Sequence, residues 1–382
     1  MNQECIILGW LFEGGDPSAA LIRGEEIVAL AEEERFTRIK HANNIFPSQA
    51  VAFCLAQAGI DIRAVDAIAV GWDATKFPEH MDQAYAAIRA THGPLSAKAI
   101  AWQEKNRTRY TEKALLEQIN VHLFAGIAEV DRPPVRFIVH HRAHACSAFY
   151  LSGFEDACVV TADGHGEEDA AHIWDAGPDG LVDLGQWDLP HSLGWFYTKF
   201  TQFFGFRAHD GEGKLMGLAA YGHHDETLFE KLSQVIRLTG DDRVFEITPR
   251  FFFGEFDTEV PYTAEWLSLF GQPLGRDDPR LLDQATKNLA YAVQTVLADA
   301  GKSLVRLAME KTGKSRVCVA GGCFMNCKMN GELAAMVGLE NFFAMPLAGD
   351  NGISIGAALA AREDMGLQWH RKLDHLYFGP DY

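Results

Sequence analysis

Residues 156–189 read DACVVTADGHGEEDAAHIWDAGPDGLVDLGQWDL. An apolar, β-branched run ends at Asp163, Gly164 and Gly166 make an acidic turn, a second apolar run follows, then Gly177-Pro178 and a third. That is strand, turn, strand, turn, strand. The start of the chain repeats the plan. CIILGWLF (5–12) is the apolar strand, EGGDPS (13–18) the turn, and AALIRG and EIVALAEEER the next strands, joined at Gly24. Asp16 follows the first strand of one unit as Asp163 follows that of the other. The offset predicts a coarse internal repeat of about 150 residues, two βββα units alike in pattern rather than identity. Such a chain is α/β and forms two lobes, expected over 1–150 and 151–382.

Outward from these units, FPSQAVAFCLAQAGI (46–60) has helical periodicity, with Ser48 placed to cap it and Gly59 to stop it. VDAIAVGW (65–72) is a buried strand, and residues 81–118 are polar and helical in pattern. VRFIVHH (135–141) is a strand running into the helix RAHACSAFYLSG (142–153). The aromatic helix SLGWFYTKFTQFFGF (192–206) precedes GEGKLMGLAAYG (211–222), a Gly-rich loop entering a helix. Residues 245–278 read as an irregular insertion, and 281–313 as one helix or two ending at Gly313. SRVCVAGG (315–322) is a buried strand before a helix, and AGDNGISIGAALAAREDMG (348–366) a turn into another.

Composition bounds the function. The 382 residues exceed one ordinary core, and 48% hydrophobic with 23% charged is globular. A net charge of -18 argues against nucleic acid, whose binding needs a basic footprint, and against an anionic membrane surface. Seven cysteines, an odd number set mostly in apolar runs, read as buried free thiols. Cys323 and Cys327 are spaced C-x3-C, which is not a zinc-ribbon knuckle. The N-terminus lacks the pattern of a signal peptide and no apolar run reaches membrane-span length, so a cytoplasmic protein is expected.

His140 and His144 share a helix face, where two imidazoles can grip one metal. Paired histidines also pack in ordinary cores, and His141 fits that reading equally well. Asp163 and Asp350 each sit in a Gly-flanked turn, a place where aspartate is also a plain turn-former. Two His with one or two Asp suit a borderline-to-hard divalent ion with open positions: Fe(II), Mn(II) or Zn(II). Gly321 and Gly322 lie between a strand and a helix, where backbone can approach a phosphate or base. Lys214 stands among glycines without Walker A spacing, which excludes a P-loop. EEERFTRIKH (32–41) is a solvated strand edge, or sets Arg35, Arg38 and Lys40 against an anionic reactant.

AEEERFTRIKH (31–41), HHRAHACSAFYLSGF (140–154), TADGHGE (161–167), SLGWFYTKFTQFFGF, GEGKLMGLAAYG, AGGCFMNCKMNG (320–331) and GDNGISIGAALAA (349–361) occur in this order. Together they resemble the NodU/CmcH-type, TobZ-like carbamoyltransferases over nearly the whole chain. The chain is also similar to the TsaD/Gcp domain of tRNA threonylcarbamoylation and to part of HypF. The resemblance implies the actin-like ATPase (ASKHA) fold, two RNase H-like lobes around a central cleft. It implies Fe(II) on His140, His144, Asp163 and Asp350. It implies ATP, ADP or carbamoyl-adenylate at the Gly321-Gly322 turn near Asn326, with Gly164 and Lys214 as further candidate contacts. It places a reactive first-loop aspartate at Asp16 and a basic residue at Lys40, both near the acceptor hydroxyl.

Two departures stand out. The family's first loop commonly reads His-Asp, whereas this chain has Gly15-Asp16, which leaves the carboxylate and puts any role of the imidazole in doubt. The family also carries a YrdC-like domain that makes carbamoyl-adenylate from carbamoyl phosphate and ATP, beginning where this chain stops at FGPDY (378–382). The expectation is therefore the transfer half of an O-carbamoyltransferase acting on a secondary-metabolite hydroxyl, with a YrdC-like domain or protein as partner. The rival readings are a tRNA threonylcarbamoyl-type transferase, a kinase or ATPase of the same fold, and a non-catalytic nucleotide-binding scaffold. Acceptor choice is expected to lie in variable loops such as residues 251–275.

Overall fold

The computed structural model describes residues 4–11, 15–75, 82, 86, 90, 97–251 and 262–381. Part of the first turn (12–14), much of the 81–96 stretch and residues 252–261 of the expected insertion lie outside the described residues.

The first sheet has β1 (Ile6–Leu11), β2 (Ser18–Arg23), β3 (Glu26–Glu32), β4 (Ala67–Val70) and β5 (Val135–Phe137) in the order β3-β2-β1-β4-β5. The second has β6 (Ala157–Ala162), β7 (Asp169–Gly177), β8 (Gly180–Asp188), β11 (Val317–Ala320) and β12 (Phe342–Ala344) in the order β12-β11-β6-β7-β8. Read from the hairpin edge, the two orders are the same. In each, the first three strands pair antiparallel and the last two add parallel. The repeat read from pattern is thus a repeat of topology. A small hairpin, β9 (Ile236–Leu238) with β10 (Phe245–Ile247), stands apart. Strands β4, β6 and β11 are buried throughout, as strands covered on both faces must be.

The helices that position the site are α1 (Ser48–Ala58), α2 (His140–Ser152), α3 (Leu193–Phe203), α4 (Glu212–Ala219), α5 (Gln284–Thr312), α6 (Cys327–Val337) and α7 (Ile353–Asp364). The central layer is α2 packed on α7. Helix α2, which follows the first sheet in sequence, covers β6 and β11 of the second, and α7, last in sequence, covers β1, β2 and β4 of the first. Their faces are built from small residues because the approach is close. A Cβ at Gly356 would lie 1.9 Å from the carbonyl oxygen of Ala143, and one at Gly9 of β1 would lie 1.9 Å from that of Ser354. Ser18 Oγ reaches across to Ser354 Oγ (2.9 Å) and to the carbonyl of Asn351 (3.1 Å).

Two local expectations change. Ser48 opens α1 but does not cap it. The buried carboxylate of Glu33, at the end of β3, accepts from the amides of Ala50 (2.8 Å) and Gln49 (3.3 Å) instead, a cap supplied from a distance. Gly59 does stop the helix, at φ +65°. The Gly-rich stretch after Gly211 is not a loop: Glu212–Ala219 is helical, because docking on α5 overrides the weak propensity of Gly213 and Gly217. Residues 284–312 form one helix, closed by Gly313 at φ +69°. All seven cysteines are free, and Cys327 is exposed while the others are buried. No helix among the described residues is long and apolar enough to cross a membrane.

Candidate metal centre

The α2–α7 layer brings three chain features together: the turn after β6, the start of α2, and the turn Asp350–Gly352 that enters α7. His140 is the first residue of α2, and one helical turn on, His144 faces the same way. Asp163 follows β6. Ligand atoms of His140, His144, Asp163 and Asp350 all lie within 4.8 Å of one another. His144 Nε2 is 3.0 Å from Asp163 Oδ2 and 3.8 Å from Asp350 Oδ1, and His140 Nε2 is 3.8 and 3.7 Å from the same two oxygens.

These spacings fit a shared cation. Donors that each sit about 2 Å from one ion lie roughly 3–4 Å apart. His140 Nε2 is buried with no hydrogen-bond partner although two carboxylates face it, which is the signature of donors arranged around something other than each other. The four donors differ in proton affinity. Burial and the neighbouring Asp163 push the Asp350 carboxyl up to about 7. Burial pulls the His140 imidazole down, but Asp163 and Asp350 outweigh it and push it up to about 9. The other two donors go the opposite way: burial pulls the His144 imidazole down, and, against its burial, His140 and His144 hold the Asp163 carboxyl well below the usual range.

Backbone amides aim the ligands. Asp163 Oδ2 accepts from the amide of Gly322 (3.0 Å) and Oδ1 from that of Gly164 (2.6 Å). Gly321, at φ +100°, lets the turn pass under β6, where a Cβ would lie 2.2 Å from the carbonyl oxygen of Ala162. Gly194 does the same for α3, since a Cβ there would lie 2.5 Å from the amide nitrogen of Gly164. Glu167 fixes the start of α2, accepting from the amides of Asp73 (2.6 Å) and His140 (3.2 Å). His165 stands between Trp72 and Trp195, with ring centroids 6.3 and 5.4 Å away.

The other candidates divide. Asp16 stands after β1, and its Oδ1 is 2.8 Å from His41 Nδ1. Lys40 is exposed and ion-paired with Asp210, whose carboxylate is held low first by Lys40 and in smaller part by His41 and Lys214. Lys214 is exposed on α4. Gly164 and Gly322 use their amides on Asp163. Asn326 caps α6 by accepting from the amide of Met329 (3.0 Å) and exchanges two amide hydrogen bonds with Gln294 (2.9 and 3.1 Å). Its side chain is occupied inside the protein. His141 points away from the cluster, with Nδ1 3.0 Å from Thr161 Oγ1. Sequence reasoning missed Asp210, Glu167 and His41, although His41 adjoins Lys40 and Glu167 closes TADGHGE.

Residues 7–359 match the family model for the carbamoyltransferase N-terminus. The chain belongs to that family. It is 33% identical over 363 residues to an uncharacterised protein (sll1178) of Synechocystis sp., covering 94% of this chain and 56% of that protein. It is 29% identical over 371 residues to nodulation protein NolNO of Sinorhizobium fredii, covering 96% of this chain and 49% of that one. The chain therefore spans about half the length of those relatives. Among solved structures, full-length HypF in a phosphate- and nucleotide-bound form superposes with a TM-score of 0.51 at 13% identity, covering 97% of this chain and 57% of that one. The fold is that of the actin-like ATPases.

A buried pair beside the centre predicts a pH response of stability. His172 Nε2 is 2.6 Å from Asp169 Oδ2 and Nδ1 is 2.9 Å from Asp183 Oδ2. Burial opposes its charge, but Asp169 and Asp183 push it from 6.5 up to about 9. A raised histidine stabilises fully below its unfolded value, and that contribution is lost as pH rises through about 9. Denaturation midpoints are expected to fall between pH 7 and 9 with metal saturating, and His172→Gln to flatten that fall. An unchanged alkaline slope in the variant refutes the assignment.

Proposed function

We propose that this chain is the transfer half of an ATP-dependent O-carbamoyltransferase, moving a carbamoyl group from carbamoyl-adenylate to a hydroxyl of a secondary metabolite. The observation that carries the reading is the convergence of His140, His144, Asp163 and Asp350, with Asp16 near enough to raise the Asp350 carboxyl by its charge, in a chain of the carbamoyltransferase N-terminus family. The match of residues 7–359 to the carbamoyltransferase N-terminus model supports the carbamoyl group as what is moved.

His140, His144, Asp163 and Asp350 would hold one divalent ion, Fe(II) first and Mn(II) or Zn(II) next. When bound, such an ion supplies Lewis-acid polarisation of a carbonyl or phosphoryl oxygen. The chain's own residues do the rest. Gly322 and Gly164 keep Asp163 aimed at the cleft. Asp16 takes the proton of the acceptor hydroxyl. Lys40, released from Asp210, offsets charge on the reacting oxygens. AMP is the leaving group. Free cysteines accord with a reducing, cytoplasmic setting.

The test is mass spectrometry of candidate hydroxyl acceptors incubated with carbamoyl phosphate, ATP and this chain, with and without a YrdC-like protein. A carbamoyl adduct that forms only when both proteins are present is the expected result. Phosphate release or a phosphorylated product without carbamoyl phosphate would show a kinase or ATPase instead. Bound metal without any turnover in either arm would leave a scaffold.

A further inference from the structure

The loop 38–44 is built in a conformation that side chains avoid. Arg38, His41, Ala42 and Asn44 all have positive φ (58°, 64°, 37° and 63°), and so does Asp16 (55°) across from it. Left-handed backbone is uncommon at non-glycine residues, least so at Asp, Asn and His, and a run of it is held by its contacts. Here those contacts are visible. Asp16 and His41 are joined twice: the Asp16 amide donates to the His41 carbonyl (3.1 Å), and the two side chains meet at 2.8 Å. The His41 amide is in turn held by Glu34 Oε2 at 2.7 Å. The strained segment therefore delivers one thing, an imidazole nitrogen onto a carboxylate oxygen.

The direction of that contact follows from the chemistry. A carboxylate only accepts, so Nδ1 carries the proton and donates to Asp16 Oδ1. Nε2 faces the other way, toward Asp210. It is buried, 3.8 Å from an Asp210 oxygen and outside hydrogen-bond distance of it, so the one close side-chain contact of the ring is the one to Asp16. Asp16 is the more open of the two, with 34% of its side chain accessible against 18% for His41. Substrate can reach Asp16, while His41 stands behind it.

We infer that His41 is a positioning residue for the transfer reaction: its Nδ1–H pins Asp16 Oδ1 and leaves Oδ2 turned to the acceptor hydroxyl. It supplies from the 38–44 loop an imidazole that the first loop, Gly15-Asp16, does not contain. This rests on the transfer reading above. In the step it serves, the acceptor oxygen bonds to the carbamoyl carbon, the bond from that carbon to the phosphate oxygen breaks with its electron pair leaving on AMP, and the hydroxyl proton passes to Asp16. His41 neither gains nor loses a proton.

Two measurements test this, and they fail separately. In the 382-residue chain alone, nitrogen-resolved NMR of the histidine rings should show His41 protonated at Nδ1, with that signal shifted in Asp16→Ala. An Nδ1 without a proton overturns the inference whatever the reaction is. In the coupled assay, His41→Ala should lower kcat about 10²-fold, as loss of positioning does, with the acceptor KM within about twofold. His41→Asn, which keeps a donor at the same reach, should recover most of that loss. Asp16→Asn with His41→Ala should be no slower than Asp16→Asn alone. Additive losses, or a His41→Ala effect on KM alone, overturn it. No transfer by the wild-type chain and its activating partner sinks the carbamoyl reading instead, and the ring tautomer still decides the geometry.

Discussion

His144→Ala is expected to empty the four-donor cluster and to abolish carbamoyl transfer. His144 is fully buried, and its Nε2 is the imidazole nitrogen nearest to Asp163, at 3.0 Å. Without it, Asp163 and Asp350 face each other with His140 alone between them. Losing a group that merely orients a metal ligand typically costs about 10–100-fold in affinity, so losing a ligand should cost more. Elemental analysis of the purified variant should find metal far below one per chain, and the coupled assay should find no product. Asp163→Asn keeps the size of the side chain, so it guards against the objection that a cavity, not a missing ligand, caused the loss. A His144→Ala protein that retains full metal and wild-type turnover ends the assignment.

Parts of this centre can be read in the sequence and parts cannot, for identifiable reasons. The spacing of His140 and His144 carries its own geometry, because a helix turns once in that interval. Asp163 and Asp16 are legible as equivalent positions of a repeated strand pattern, and the repeat recurs intact in the two sheet orders. What pattern does not carry is any contact made through irregular backbone. His41 reaches Asp16 because a run of left-handed residues turns it back, and no periodicity encodes that. Glu33 displaces Ser48 as the cap of α1 because β3 ends beside that helix, a fact of tertiary packing. The glycines are legible as close approaches, but not as to what. Strand-to-helix position points Gly322 at a nucleotide, yet its amide is spent on Asp163. Asn326 has its amide locked against Gln294.

The close approach with the widest consequence is at Gly356. A Cβ placed there would lie 1.9 Å from the carbonyl oxygen of Ala143 and 2.6 Å from its carbon, both backbone atoms with no rotamer to yield. Gly356→Ala therefore forces α7 away from α2. Overpacking a tight core costs typically about 1–3 kcal/mol, and a rigid backbone obstacle puts this case at the upper end or beyond. Gly331 is the control. It lies exposed within α6, and a Cβ added there would meet nothing within 4 Å, so Gly331→Ala should stabilise by about 0.5–1 kcal/mol through helix propensity. Denaturant midpoints should thus move in opposite directions for the same chemical change. The site should register the difference as well. Ala143 lies on α2 between His140 and His144, and α7 is entered through Asp350, so parting the two helices parts the ligands. Gly356→Ala should lose metal even at temperatures where it stays folded, while Gly331→Ala keeps it. If Gly356→Ala retains wild-type stability and metal affinity, the α2–α7 contact does not set the distance between the two halves of the centre.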